Sequence, residues 1–472
     1  MSLFKKKIDD LDTSYITQNN PLYKGDTVNK PIYPARTIVL SFLAVILIGA
    51  FLLCMPFSSS SGSFTDPITS LFTATTSTCV TGLVLVDTGS YWSIIGQVII
   101  LALIQIGGLG LVTLTTFFVV ILRQKIGLGS MSLALSSTGS QSIRNLRSLV
   151  KLIVLSTLTI ELIGAALLSI RFVPTFGIKR GIWISAFTAI SAYCNAGIDI
   201  FDGEFTSLTQ FVSDPLVNGV IMGLIVVGGL GFLVFQDLIF YRKRKKLMLH
   251  TKVVALYTLV LILAGAVIYF SFEFTNKATL GNLNFGDKVL ASLFQSVTTR
   301  TAGFNTVDFG AMHEPTKLVS CLFMFIGAAP GSTGGGVKVT TFVVIVMTIV
   351  AAFCNRKETV ILKRTVDHSV VYKSLALIAS GMIFCIITSA VIIIECDNVS
   401  TIDALFEAVS AYGTAGLTAG ATAKLGIVSK IAVIITMFIG RVGSFSIFMA
   451  MTLKENEQQG RKVLPGGEIM VG

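Results

Sequence analysis

The sequence predicts an all-α membrane protein made of four copies of one unit: a helix, a short half-helix with its loop, and a second helix. Three observations carry that prediction, namely the composition, the length of the apolar segments and an internal repeat. Of the 472 residues 53% are hydrophobic and 13% charged, and the mean hydropathy is +0.81. A soluble domain carries about 25% charged residues, so the polar surface that an enzyme or a nucleic-acid-binding module needs in water is missing. The net charge of +11 therefore calls for an explanation in membrane orientation.

Along the chain, residues 1–36 read as a polar, cytosolic tail, with Lys5, Lys6 and Lys7 followed by Asp9, Asp10 and Asp12. No apolar stretch follows closely, which argues against a cleaved signal peptide. Crossing the hydrocarbon core takes about 20 apolar residues in a helix. Segments of that kind run over 37–56, 91–122, 148–170, 216–240, 252–272, 317–354, 370–394 and 425–453. The sixth is interrupted by Gly327, Ala328, Ala329, Pro330, Gly331, Ser332, Thr333, Gly334, Gly335 and Gly336. Freed backbone groups have no water in lipid, so this run must lie against protein or line a wet cavity. The seven cysteines are scattered with no CxxC pair and read as small apolar side chains.

Between the members of each pair lies a semi-polar segment too short to span: 66–80, 181–195, 287–301 and 403–414. Three open with Asp, a good helix N-cap, and Pro67 suits a first helical position. These are expected to be re-entrant half-helices followed by extended loops. The loops share a pattern, small-Gly-apolar, in Val80-Thr81-Gly82, Asn195-Ala196-Gly197, Thr301-Ala302-Gly303 and Thr414-Ala415-Gly416. A Phe precedes each loop, at Phe72, Phe187, Phe294 and Phe406. Downstream comes a second landmark: Gly107-Gly108, Gly228-Gly229, Gly327-Ala328 and Gly440-Arg441. Two landmarks in one order, four times, define repeats over 37–122, 123–241, 242–354 and 355–453, with a cytosolic tail over 454–472.

Four such loops with pseudo-fourfold symmetry around a central ion pore would present rings of carbonyls, which replace the hydration shell of a monovalent cation. Glycine suits a lining strand that passes through backbone angles closed to other residues. Half-helix C-termini aimed at the axis add partial negative charge. Glycines 107, 108, 228 and 229 fit close helix packing as well as they fit a pore role. Regions 1–36, 123–151, 242–252, 355–373 and 454–472 hold 25 of the 36 basic residues and 9 of the 25 acids. By the positive-inside rule those regions, with both termini, are cytoplasmic. Asp87, Asp199, Asp202, Glu204, Asp214, Asp308 and Glu314 follow the loops and read either as a cation-concentrating vestibule or as solvated loop charges.

These residues resemble the Trk/Ktr/HKT superfamily of potassium transporters, through Thr-Gly in copy one, Asn-Ala-Gly in copy two, residues 299–305 in copy three and 414–418 in copy four. Within it the compact layout is most similar to the KtrB type of membrane subunit. The resemblance covers nearly the whole chain and implies potassium uptake across a bacterial plasma membrane, with K+ held on filter backbone and no organic cofactor. It also implies a homodimer and a cytosolic KtrA-like ring of RCK domains that bind nucleotide. In that family Gly in all four loops goes with potassium, and Ser in the first goes with sodium in some plant relatives; sodium dependence here stays open. Ile198 stands where an aromatic is common. The run 327–336 with Lys338 resembles an intramembrane gating loop, and Arg441 a barrier cation below the filter. Arg441 read alone fits a buried salt bridge too, and Lys338 either faces a cavity or snorkels.

An alternative is the channel-like membrane subunit of an ATP-driven cation pump. A membrane-embedded enzyme would need paired acids with His or Cys in the spans, and that constellation is missing. The run Gly331–Lys338 has Val337 where a phosphate-binding loop needs Lys, and no strand before it. Arg300 either faces the path or clamps the neighbouring half-helix from behind. Glu161, Asp237 and Glu273 are expected to be partnered or interfacial. The basic run 242–246 would meet anionic lipid or the cytosolic ring.

Overall fold

The computed structural model describes residues 34–110, 146–201, 207–444 and 447. Most of the expected N-terminal tail, the C-terminal tail, the second half of segment 91–122, and Asp202 and Glu204 lie outside the described residues. The first unit contains α1 (Pro34–Cys54), α2 (Pro67–Cys79) and α3 (Ile94–Leu109). The second contains α4 (Leu146–Phe176), α5 (Ile178–Cys194), α6 (Pro215–Gly229) and its continuation α7 (Phe232–Arg244). The third contains α8 (Leu249–Glu273), α9 (Phe285–Thr298), α10 (Glu314–Phe325) and, after a long loop, α11 (Val339–Phe353). A hairpin of β1 (Val360–Ile361) and β2 (Arg364–Thr365) leads to the fourth unit, α12 (His368–Glu395), α13 (Thr401–Gly413) and α14 (Ile427–Val442).

Each unit's first helix is long and apolar enough to span a membrane: Arg36–Cys54, Val150–Phe176, Leu249–Glu273 and His368–Glu395. These helices turn large apolar side chains outward, with Leu162 71% and Ile394 82% exposed, as a lipid-facing surface requires. The short helices invert the usual order of protein interiors. In α2, Thr75, Thr76, Ser77 and Thr78 are fully buried. At 13 to 17 residues they are about 20–25 Å long, short of a bilayer core of about 30 Å.

The second helix of the third unit is interrupted at 327–336 as expected. The other three depart from expectation, because each stops at the glycine landmark, where the chain enters positive φ at Gly110 (80°), Gly231 (89°) and Gly443 (89°). The axes of α6 and α7 differ by 95°. The cause is close approach: a Cβ on Gly107, Gly228 or Gly440 would strike the carbonyl oxygen of Thr78, Tyr193 or Tyr412 respectively. These glycines thus seat each second helix on the end of its own short helix, the packing role. The N-caps also differ in part. Asp66 caps α2, accepting from the Thr69 N–H at 2.9 Å. Asn284 and Ser400 precede α9 and α13, leaving Asp287 and Asp403 in the first turn, where a carboxylate still favours the helix dipole.

The units close into a ring. The second helix of each packs on the short helix of the next: α3 on α5, α6 on α9, α10 on α13, and α14 back on α2. Between α10 and α13 this contact carries an ion pair, Lys317–Asp403 at 2.8 Å.

Candidate functional site

Three of the four short helices end at a left-handed cap, Val80, Asn195 or Thr414, with φ of 57°, 60° and 51°. The third differs: its cap, Thr299, keeps helical angles, and the left-handed residue is Thr301 two positions on, with φ of 69°. The next residue's N–H then turns back onto the helix, as from Thr81 to the Thr76 carbonyl (2.8 Å) and from Ala196 to that of Ser191 (2.7 Å). Two residues after each left-handed residue, Gly82, Gly197, Gly303 and Gly416 have φ of 102°, 64°, 81° and 73°, a conformation that a side chain at the glycine would oppose.

The structure brings the four glycines together with Thr81, Ala196, Ala302 and Ala415, the residues before them. A Cβ on Gly82 would lie 2.5 Å from the Ala196 carbonyl oxygen, one on Gly197 2.6 Å from that of Ala302, and one on Gly303 3.3 Å from that of Ala415. A Cβ on Gly416 would strike the Thr81 oxygen, which completes the circle. Phe72, Phe187, Phe294 and Phe406 are fully buried. Ile198, placed where an aromatic was expected, is 2% exposed, and its backbone is stitched in both directions by Ser191 Oγ, at 2.7 and 3.1 Å.

That stitching repeats, and the sequence reading missed it. Thr76 Oγ1 accepts from the Gly82 N–H at 3.0 Å, and Thr298 Oγ1 donates to the Phe304 carbonyl. The signal was available in three loops: Thr76 and Ser191 stand four before Val80 and Asn195, and Thr298 three before Thr301. Ser410 holds the same place in the fourth, but among the described residues its buried hydroxyl has no partner. Glu407 on α13 was missed as well. It is fully buried and accepts from Thr418 Oγ1 at 2.8 Å and Thr422 Oγ1 at 2.5 Å, fixing the chain that leaves the fourth loop.

On one side of the glycine ring opens a cavity of about 430 Å³ that all four glycines line. Asp87, Asp199 and Asp308 line it too. Asp214 instead caps α6 and pairs with Arg171 at 3.1 Å, and Glu314 opens α10; neither lines the cavity. Burial, reinforced by the nearby Asp87 charge, pushes the Asp199 carboxyl up to about 7.

On the opposite side lies the run 327–336. A Cβ on Gly334 or Gly335 would strike the hydroxyl of Thr301 or Thr414, so the run sits directly against the inner ends of two loops. Its two ends are held to each other, by the Gly327 N–H on the Val337 carbonyl (2.8 Å) and the Val339 N–H on the Ala328 carbonyl (3.2 Å), and its middle bonds to other units. The Ala329 N–H donates to the Gly229 carbonyl (3.0 Å), the Gly336 N–H to that of Gly440 (3.2 Å), and the Gly335 N–H to Thr414 Oγ1 (3.0 Å). Lys338, at the end of the run, donates from Nζ to the Gly334 carbonyl at 2.6 Å and the Gly335 carbonyl at 3.3 Å. Arg441 donates to the carbonyls of Thr333 and, at 2.5 Å, Gly107. It therefore ties the run to units one and four through carbonyls and not through the carboxylate of a salt bridge.

Arg300 is buried beside the third loop, away from the ring, and reaches Thr258 on α8 at 3.4 Å. It sits behind the loop as one reading expected, on the long helix of its own unit instead of a neighbouring short one. Glu273 accepts from the His313 N–H (3.0 Å), Thr279 and Thr316. Asp237 accepts from the Met248 N–H at 2.8 Å and Thr251 Oγ1 at 2.7 Å. Glu161 accepts from Gln105 at 3.1 Å. All three are partnered.

Comparison with known proteins gives concordant results. Residues 20–460 match the family described as TrkH, cation transport protein. The chain is 40% identical over 442 residues to the Ktr system potassium uptake protein B of Bacillus subtilis, covering 93% of this chain and 97% of that protein. It is 34% identical to the potassium/sodium uptake protein NtpJ of Enterococcus hirae, with 94% and 98% covered. The fold is similar to the crystal structure of the potassium transporter TrkH from Vibrio parahaemolyticus, with a TM-score of 0.69 at 14% identity over 91% of this chain and 87% of that one.

Proposed function

The chain belongs to the TrkH family of cation transport proteins, as a multi-pass membrane transporter and not an enzyme, and on that premise we propose that it takes up potassium through the ring of four loops. The observation that carries this reading is the closed circle of Gly82, Gly197, Gly303 and Gly416, each against the carbonyl of the following unit. Carbonyls of residues 80–82, 195–197, 301–303 and 414–416 would strip a monovalent cation of water and replace its shell. The three aspartates of the outer cavity would raise the local cation concentration. Na+ acts as a second ion, a reading supported by the potassium/sodium relative.

The run 327–336, with Lys338 and Arg441, is the gate in this reading. It blocks the exit from the ring and must shift for an ion to pass. The repeats divide at 37–122, 123–241, 242–354 and 355–453. The basic regions and both termini face the cytoplasm, the chain is a homodimer in the cell membrane, and a KtrA-like ring that binds nucleotide acts on the gate. The supporting observations are the placement of charge and the Ktr-system relative. The test is growth of a potassium-uptake-deficient bacterium at low potassium, with and without such a ring subunit. Rescue that depends on the ring is expected; no rescue under either condition would contradict the reading.

A further inference from the structure

The connection between the third and fourth units is folded back onto the molecule. Strands β1 and β2 pair Val360 with Thr365 and Ile361 with Arg364. Ile361 is 5% exposed and belongs to one buried cluster with Val253 of α8 and Val343 and Val344 of α11. Beside it, Thr359 Oγ1 lies 3.0 Å from Thr348 Oγ1 on α11. We infer that this hairpin is a docking surface for anionic phospholipid and anchors the end of α11, the helix that leaves the run 327–336, to the face of the bilayer. The inference rests on the cytoplasmic placement of this connection, because anionic lipid is concentrated in that leaflet.

The height of the hairpin follows from its attachments. Thr348 stands five residues before the end of α11 at Phe353, about 7.5 Å of helix, so the chain reverses after the helix and returns beside it. The last turn of α11 stays apolar and open, with Ile349 and Val350 exposed and Phe353 88% exposed. Near the start of α12, Tyr372 is 71% exposed, and tyrosine collects at the boundary between membrane and water. The hairpin is therefore held beside side chains that face acyl chains, at the level of the headgroups.

Its own chemistry suits that level. Arg356, Lys357, Lys363 and Arg364 are all exposed, against the acids Glu358 and Asp367. Asp367 is already engaged as the cap of α12, accepting from the Ser369 N–H at 2.8 Å. The turn consists of Leu362 and Lys363, with φ of 46° and 65°. Asn and Gly fill such two-residue turns most easily. Here the tip carries an exposed leucine next to two cations. Apolar contact and attraction to anionic headgroups add in binding to a membrane surface, and a phospholipid satisfies both together. A soluble acidic protein would satisfy only the charge, and would leave Leu362 and Phe353 in water.

The test uses the full-length chain in nanodiscs of phosphatidylcholine, alone or mixed with phosphatidylglycerol, and reads amide hydrogen exchange over residues 355–367. Exchange depends neither on how ions cross nor on which side of a symmetric bilayer the hairpin occupies. Failure of this inference is thus distinguishable from failure of the filter reading or of the proposed topology. In the wild type, exchange over 355–367 should slow several-fold when phosphatidylglycerol is present. The variant Lys363→Gln/Arg364→Gln should lose that slowing. The charge-conserving Lys363→Arg/Arg364→Lys should keep it, which separates charge from folding of the hairpin. Equal exchange of the wild type in the two lipids would overturn the inference, as would slowing that persists in the charge-neutral variant. Slowing that appears only when a cytosolic ring subunit is added, and equally in either lipid, would give the surface to that protein and overturn the lipid as its occupant.

Discussion

A single methyl group decides the chemistry at the centre of the ring. Gly82 has a φ of 102° and room for a Cβ only by displacing the Ala196 carbonyl. Gly82→Ser should therefore turn or withdraw a filter oxygen and lower the preference of uptake for potassium over sodium; unchanged ion ratios would count against a carbonyl filter. Thr76→Val removes the hydroxyl that holds the Gly82 N–H at 3.0 Å and leaves a buried donor unpaired, at a cost of about 1–3 kcal/mol. The same loss of ion preference, milder than in Gly82→Ser, should appear in competition uptake. Asp199 titrates at about 7 because burial disfavours its charged form. Its carboxylate is present above that pH and lost below it, so uptake should fall as external pH drops from about 8 to about 6, and Asp199→Asn should flatten that profile. The glycines were legible in the sequence because they recur in register. The hydroxyls were not, since Ser and Thr abound in these segments and only the folded loop shows which of them turns inward.

Among the elements, the run 327–336 differs from an ordinary connecting loop in where its hydrogen bonds go. Its N–H and carbonyl groups are satisfied by Gly229, Gly440, Thr414, Lys338 and Arg441, which pins it to units two and four. Shortening the run, or Arg441→Gln, should raise rubidium flux in vesicles without the ring subunit; flux at the wild-type level would argue against gating. The short helices were readable because 13 to 17 semi-polar residues cannot span. The breaks in the second helices were readable only in the third unit, where ten small residues accumulate. In the first two units Gly107, Gly108, Gly228 and Gly229 read equally as packing sites, and the break beyond them goes with a close contact of Gly107 and Gly228 on a distant carbonyl. The caps at Asn284 and Ser400 were misread for a simpler reason, because an Asp three residues later offered an equally good start.

At the scale of the whole molecule, the four-copy register implied a central axis, and the packing of each second helix on the next short helix closes it. What the register did not contain is the interlock of units, in which one arginine from the fourth reaches the loop of the third and the broken helix of the first. Such contacts join residues hundreds of positions apart and leave no periodic trace. The proposed orientation has its own check. Cys354 is exposed and lies in the connection assigned to the cytoplasm. A membrane-impermeant maleimide should label it in inverted vesicles and not in intact cells; labelling of intact cells would reverse the topology.

The most direct measurement is a crystal structure of the protein grown in rubidium, with anomalous scattering used to place the ion. A peak on the axis, shared by the carbonyls around Gly82, Gly197, Gly303 and Gly416, is the expected result. Anomalous density confined to sites away from that axis, with the ring empty, would contradict it.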